Sequence, residues 1–124
     1  MTAQTVYEKA LNLLDELEED GTVSAATDTT YEYRAIKLID TLQRELCRYE
    51  GIEPNTIDSL SDTLKISDMT AATVLPYGVA ANFALTDDMT SLYSVYNQAY
   101  NAGIFRIKCE FESYEDDMNV MSGF

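Results

Sequence analysis

Residues 75–100, LPYGVAANFALTDDMTSLYSVYNQAY, decide the fold because they contain two helical segments and the turn between them. Pro76 lacks a backbone N–H and clashes with the carbonyl four residues earlier. A helix that enters this stretch therefore either kinks at Pro76 or ends near Val74, with a new helix starting at the proline. The acidic pair Asp87 and Asp88 is suited to cap the next helix. The stretch predicts helices packed against each other.

Outward from this stretch, apolar residues at helical spacing predict four helices in all. The first runs from Thr2 to Glu19, the second from about Tyr31 to Glu50, the third from Asp68 through Phe83, and the fourth from the acidic pair to about Asn101. Gly78 allows the third helix to approach a neighbour closely, and Gly103 ends the fourth. Ile52–Ser67 reads as an irregular segment, in which Leu60, Leu64 and Ile66 are the candidate core anchors.

In the last part of the chain, the spacing of apolar residues changes from a helical period to every second residue. Phe105, Ile107, Cys109 and Phe111 alternate with charged residues, which predicts a β-strand over residues 105–112. The strand has no evident partner, and two arrangements stay open: addition to another chain, or a hairpin with residues 64–66 or with the tail. We therefore expect a mainly α fold, a four-helix bundle-like subunit with a kinked third helix and a C-terminal strand or arm. Residues 1–103 form the helical domain and 104–124 the arm.

The charge balance argues against several function classes. Eight Lys and Arg stand against 22 Asp and Glu, which gives a net charge of −14, and histidine is absent. A nucleic-acid binder or a protein that docks on anionic membranes needs clustered cations. Histidine is the commonest general base and metal ligand. The acid pairs lie at predicted helix ends and in the tail, where solvent keeps both carboxylates ionised, so we expect no catalytic, cofactor or metal site.

The cysteines and the hydropathy of the sequence argue against a cysteine metal site, a membrane span and a secretory signal. Cys47 and Cys109 are 62 positions apart, without metal-ligand spacing, and both are predicted to be small buried residues in a reducing compartment. The sequence has no apolar run long enough to span a membrane and no secretory signal pattern at its start. A cytosolic site of synthesis is expected.

Two charged faces remain ambiguous from the sequence. Glu16, Glu18 and Glu19 place negative charge at the unfavourable end of the first helix dipole, which fits either a solvated face or a purposely repulsive surface. The second helix carries Arg34, Lys37, Arg44 and Arg48 off its apolar stripe. These cations could offset the acids within one subunit or between neighbouring subunits. Likewise, the tyrosine strip at Tyr93, Tyr96 and Tyr100 fits core packing or a subunit contact.

Residues 57–101 resemble the head–tail connector (adaptor) proteins of long-tailed phages and prophages, in which a helix is interrupted at an LPYGLAA-like motif. An acidic pair then starts a helix with a YNQxY-like pattern. The matching residues are Leu75, Pro76, Tyr77, Gly78, Val79, Ala80, Ala81, Asp87, Asp88, Tyr96, Asn97, Gln98 and Tyr100. The resemblance covers a little over a third of the chain, and none of these residues is catalytic.

The resemblance implies a non-enzymatic structural protein of the virion neck, made in the host cytoplasm. Such subunits form a ring of about twelve copies under the portal protein, contact a stopper or tail-completion protein, and extend a channel through which DNA passes without specific binding. Its C-terminal arm would dock on the portal or a neighbour, through Phe105, Ile107, Phe111, Val120, Met121 and Phe124. Glu16, Glu18 and Glu19 would then line the lumen. The alternatives are an acidic protein-binding module such as a DNA mimic, or another neck or tail-completion protein.

Overall fold

The computed structural model describes the backbone of residues 1–14, 29–86 and 88–123 and the side chains of 1–14, 32–86 and 88–110. This part of the chain contains five helices and confirms the mainly α prediction. The helices are α1 (Ala3–Leu13), α2 (Thr29–Glu50), α3 (Asp68–Thr73), α4 (Leu75–Thr86) and α5 (Thr90–Gly123). Glu16, Glu18 and Glu19, with the rest of the predicted first helix beyond Leu14, lie outside the described residues, as do Asp87 and Phe124.

The proline breaks the third predicted helix into two. The α3 helix begins after Ser67, whose hydroxyl accepts a hydrogen bond from the Thr70 N–H at 3.3 Å. It ends at Thr73, and α4 begins at Leu75, so Pro76 lies in the first turn of a new helix. A proline is tolerated there because the first N–H groups of a helix have no intrahelical acceptor. Of the two predicted alternatives, the structure has the broken helix.

Asp88 ends α4, whereas the sequence predicted that it would cap the following helix. Its φ of 60° is in the left-handed region, which aspartate tolerates better than most residues. The Met89 N–H then donates to the Ala84 carbonyl at 2.8 Å, as in the turn that commonly closes a helix. The sequence prediction was wrong here because an aspartate can either cap the start of a helix with its side chain or adopt the left-handed conformation that follows the end of one.

The helices lie side by side with defined directions. Arg34 near the start of α2 lies over the ring of Phe83 near the end of α4, at 5.2 Å, so these two helices are antiparallel. The α5 helix runs parallel to α2. Tyr100 of α5 and Leu42 of α2 both lie beside Gly78, and further along both helices Lys108 Nζ lies 4.7 Å from the centroid of the Tyr49 ring. The α1 helix packs mainly against α4.

No strand is present at residues 105–112, which lie within α5. The strand prediction was wrong because Tyr100, Ile104 and Ile107 continue a helical stripe at i, i+4 and i+7, and all three are buried in the core. Two residues apart on a strand, Phe105 and Ile107 would share a face. On the helix, Phe105 is 67% exposed and Ile107 only 8%.

Gly103 lies inside α5 and does not end it. A Cβ atom at this position would lie 2.8 Å from Cγ2 of Val74, so the glycine serves the close packing of α5 on the α3–α4 break. The helical backbone of α5 is continuous across the predicted boundary between residues 103 and 104. The predicted role of Gly78 is confirmed, because its Cβ would meet the Tyr100 ring at 2.7 Å.

Residues 51–67 form an ordered connection on α2. Leu64 and Ile66 are buried, as predicted, and Leu60 is partly buried. The Leu64 N–H donates to the Met1 carbonyl at 2.9 Å, and Thr2 pairs with Thr63 in an isolated antiparallel bridge. The N-terminal residues thus occupy the position that a hairpin with residues 105–111 would need, and that predicted alternative was wrong.

The two cysteines differ. Cys47 is buried in the core, as predicted, and burial raises the pKa of its thiol. Cys109 is exposed on α5, contrary to prediction, because the helix turns it away from the face that carries Ile104 and Ile107.

Candidate functional site

The residues that carry the resemblance lie together at the contact between α4 and α5, mostly in the core. Leu75, Pro76, Gly78, Ala80, Ala81 and Tyr100 are buried, and Tyr77 and Tyr96 are partly buried. The rings of Tyr77 and Tyr96 lie 5.9 Å apart, and the Tyr96 hydroxyl donates to the Leu13 carbonyl. The motif therefore joins α1, α4 and α5. Asp88 belongs to the turn that follows.

The tyrosine strip, Tyr93, Tyr96 and Tyr100, packs within the subunit. Tyr100 is surrounded by the core, and Tyr93 and Tyr96 pack on its edge. Burial, with the nearby Glu45 carboxylate as a smaller cause, raises the pKa of Tyr100 above its ordinary value. Its hydroxyl has no hydrogen-bond partner among the described residues. Of the two predicted roles, core packing is the one these contacts support.

The exposed side of α5 carries a second stripe. Val95, Ala102, Phe105 and Cys109 follow one another at intervals of seven, three and four residues and are all exposed. This spacing places them on one face of a helix. Val95 is 59% exposed, and Phe105 protrudes further. The stripe is an apolar surface on the side of α5 opposite to Ile104 and Ile107.

The predicted docking residues fall into three groups. Phe105 is available on the surface, whereas Ile107 belongs to the core of the monomer. Phe111, Val120 and Met121 lie on the helical backbone of α5, with side chains outside the described set. Phe124 is outside the described residues altogether. The possible lumen acids Glu16, Glu18 and Glu19 are likewise outside them.

An open groove of about 270 Å³ lies between the first half of α2 and the second half of α4. Its lining residues are Tyr33, Arg34, Lys37, Leu38, Asn82 and Thr86. The Lys37 ammonium lies 5.2 Å from the centroid of the Tyr33 ring. Further along α2, Arg44 pairs with Asp40 at 3.3 Å and donates to the Thr56 hydroxyl at 3.0 Å. The groove is thus a basic and partly apolar surface on a strongly acidic chain.

Sequence reasoning missed a polar network that fixes the connection after α2. The buried Gln43 amide donates to the Asn55 carbonyl at 3.2 Å and accepts from the Lys65 N–H at 2.6 Å. At the end of α2, the Glu50 carboxylate accepts from the Ser67 and Thr70 hydroxyls, both at 2.8 Å. A signal existed for Gln43, because it lies at i+4 from Ile39 and i−3 from Leu46 on the apolar face.

The described residues offer no other chemistry of note. Within them, no group of three or more Cys, Asp and Glu side chains is arranged to hold a metal ion. None of the helices, over the part of the chain that was searched, combines the length and hydropathy needed to cross a bilayer.

Comparisons with protein-family models, curated proteins and solved structures give no match to this chain. A function can therefore be argued only from the chain's own residues and from the resemblance of the motif at the α4–α5 contact.

Proposed function

We propose that this chain is a structural subunit of a phage neck, a head–tail connector that forms a ring of about twelve copies under the portal and extends the DNA channel. Its partners are then the portal protein, a stopper or tail-completion protein, and further copies of itself. The proposal makes the molecule a non-enzymatic part of the virion, assembled in the host cytoplasm.

The observation that carries the proposal is the length of α5, which spans 34 residues from Thr90 to Gly123. Ile107 is the last buried residue of α5 among the side chains that the structure describes, which end at Glu110, and the helical backbone continues to Gly123. Sixteen further residues at 1.5 Å each correspond to about 24 Å of helix. We assign this part of α5 to a contact with a neighbouring subunit or the portal, as the resemblance of the chain to connector subunits implies.

Two further features support the same function. The antiparallel packing of α4 on α2 and the parallel course of α5 and α2 fit a four-helix bundle-like connector subunit with a broken third helix. The net charge of −14 suits the wall of a DNA channel, because like charges keep the phosphate backbone from adhering.

The test is electron microscopy of the purified chain mixed with portal-containing heads. We expect a ring of about twelve copies bound below the portal, and heads without such a ring would overturn the proposal. A chain that ends at Glu110 should keep the circular dichroism signal of its remaining helices and lose attachment. The matched control is Val95→Ser, which alters an exposed apolar residue and leaves the end of α5 intact.

The rival function has its own signature. An acidic DNA mimic would bind a basic DNA-binding protein as a monomer or dimer and would displace DNA from it. If the chain displaced DNA from such a protein and did not attach to heads, the DNA-mimic function would be favoured over the connector function.

A further inference from the structure

The groove between α2 and α4 is a basic, partly apolar concavity that carries two cations. It is lined by Arg34 and Lys37, two of the eight cations in the sequence, beside the exposed ring of Tyr33. The edge formed by α4 adds the polar side chains of Asn82 and Thr86. A surface of this kind suits a peptide segment that combines carboxylates with aromatic side chains.

The chain itself contains such a segment near its C-terminus. Residues 110–117, EFESYEDD, hold five carboxylates, two aromatic residues and no cation. They belong to α5, which extends to Gly123. The segment therefore matches the groove in charge and in its mixed polar and aromatic composition.

The direction of the helices prevents a subunit from using its own segment. Lys108 lies over Tyr49, which follows the groove residue Lys37 by twelve positions on α2. Twelve helical residues correspond to about 18 Å. Because α5 runs parallel to α2, each residue after Lys108 lies further from the groove of the same subunit.

We propose that the α2–α4 groove binds the acidic segment 110–117 of a second copy of this chain. The contact joins different surfaces of two identical subunits, since the groove lies near the start of α2 and the segment beyond its end. Such a head-to-tail contact repeats until it closes into a ring or continues as a filament. The inference rests on the proposed function in so far as it names a contact within the proposed ring.

Zero-length carbodiimide cross-linking of the full chain tests the contact directly. Equal amounts of unlabelled and ¹⁵N-labelled protein are mixed, cross-linked and analysed by mass spectrometry. We expect mixed-isotope links between the Lys37 amine and the carboxylates of residues 112–117. Links of Lys37 that form only within one copy, or only to the acids of residues 15–20, overturn the inference.

Charge exchange provides an independent measurement, by sedimentation equilibrium. The groove variant is Arg34→Glu with Lys37→Glu, and the segment variant is Glu115→Lys, Asp116→Lys and Asp117→Lys. Each alone should weaken self-association about tenfold or more, because attraction between exposed charges becomes repulsion. An equal mixture should associate again, since each variant then offers the charge that the other lacks. The matched control, Lys9→Glu with Lys65→Glu, changes two exposed lysines elsewhere and should associate like the parent protein.

The two proposals fail in different ways. Normal portal-bound rings formed by the groove variant would overturn this contact and leave the connector function standing. Mixed-isotope links at Lys37, in a protein that never attaches to heads, would support the contact and overturn the connector function.

Discussion

At the scale of single residues, Gln43 shows how one buried polar side chain fixes a long connection. Its side chain is 0% exposed, and its amide contacts the backbone at two points of the connection, Asn55 and Lys65. A buried amide without partners is unfavourable, but here each end of the group has one. Residues 51–67 therefore hold a defined path along α2.

Replacing this glutamine by leucine should destabilise the protein. Gln43→Leu keeps a similar volume but leaves the Asn55 carbonyl and the Lys65 N–H without their partner. We expect the free energy of unfolding to fall by about 2–3 kcal/mol in urea titrations. Gln98→Leu, at an exposed position of α5, is the control and should change it by less than about 0.5 kcal/mol. Equal effects of the two substitutions would contradict the role of Gln43.

Tyr100 gives a prediction that depends on pH. Because burial raises the pKa of its phenol in the folded state, the unfolded chain releases this proton first, near the ordinary value of 10.0. The contribution of Tyr100 to stability is complete below about pH 10 and is lost as the pH rises toward the pKa of the folded state. Tyr100→Phe should be neutral or stabilising by up to about 1 kcal/mol at neutral pH, since the hydroxyl has no partner among the described residues.

Urea titrations at about pH 8 and about pH 11 check this sign. The parent protein should lose more stability between the two values than Tyr100→Phe does. Tyr33→Phe, at a largely exposed tyrosine, should behave like the parent protein. A parent protein and a Tyr100→Phe variant with the same alkaline loss would show that the phenol titrates normally.

At the scale of elements, α5 is the part of the fold where the sequence pattern misleads. Apolar and charged residues alternate over residues 105–112, which is typical of a strand. The same segment can form a helix when one of its apolar residues also continues the apolar stripe of that helix. Ile107 satisfies both patterns, and Phe105 satisfies only the strand pattern. The absence of a partner strand in the rest of the described chain leaves the helix as the arrangement that pairs the backbone locally.

Truncating Phe105 and Ile107 separately distinguishes a helix from a strand. Ile107→Ala should lower the free energy of unfolding by about 2–4 kcal/mol, because it empties a core position. Phe105→Ala should cost less than about 0.5 kcal/mol, because the ring is mostly in solvent. Thermal unfolding followed by circular dichroism measures both. Similar losses for the two variants would mean that both side chains share one buried face.

Particular residues show how far the sequence alone could go. The stripe of α2 and the break near Pro76 were predictable, since both follow from local spacing and from proline geometry. The prediction for Gly103 was wrong because the sequence does not distinguish a glycine that ends a helix from one that makes room for a neighbouring side chain. At Gly103 that side chain is Val74, which lies between α3 and α4. The α2–α4 groove could not be predicted, since Lys37 and Asn82 meet only through the antiparallel packing of two helices.

At the scale of the whole molecule, net charge and salt should act in opposite directions on folding and on self-association. The 22 acids face only eight cations, so repulsion opposes the compact state. Raising NaCl from about 0.01 M to about 1 M shortens the Debye length from about 30 Å to about 3 Å. We expect Tm to rise by roughly 4 °C, or about 1 kcal/mol, in calorimetry. The head-to-tail contact should weaken over the same range.

Neutralising exposed acids provides the control for this effect. Glu53→Gln combined with Asp58→Asn should raise Tm at low salt and reduce the further gain from NaCl. A Tm that falls with salt would show that attractive charge pairs outweigh the repulsion.

The packing of α1 on α4 means that α1 cannot reach its native contacts until α4 has been synthesised. An isolated helix of 11 residues is marginal in water, and α1 gains its contacts from residues 60–64 and from α4, which ends at Thr86. At 5–20 residues per second, a ribosome needs about 4–15 s to pass from the end of α1 to the end of α4. During that interval α1 lacks its packing against α4, the helix that it contacts most. Until α4 is made, the nascent chain therefore presents an apolar face of α1 that a chaperone or a protease can reach.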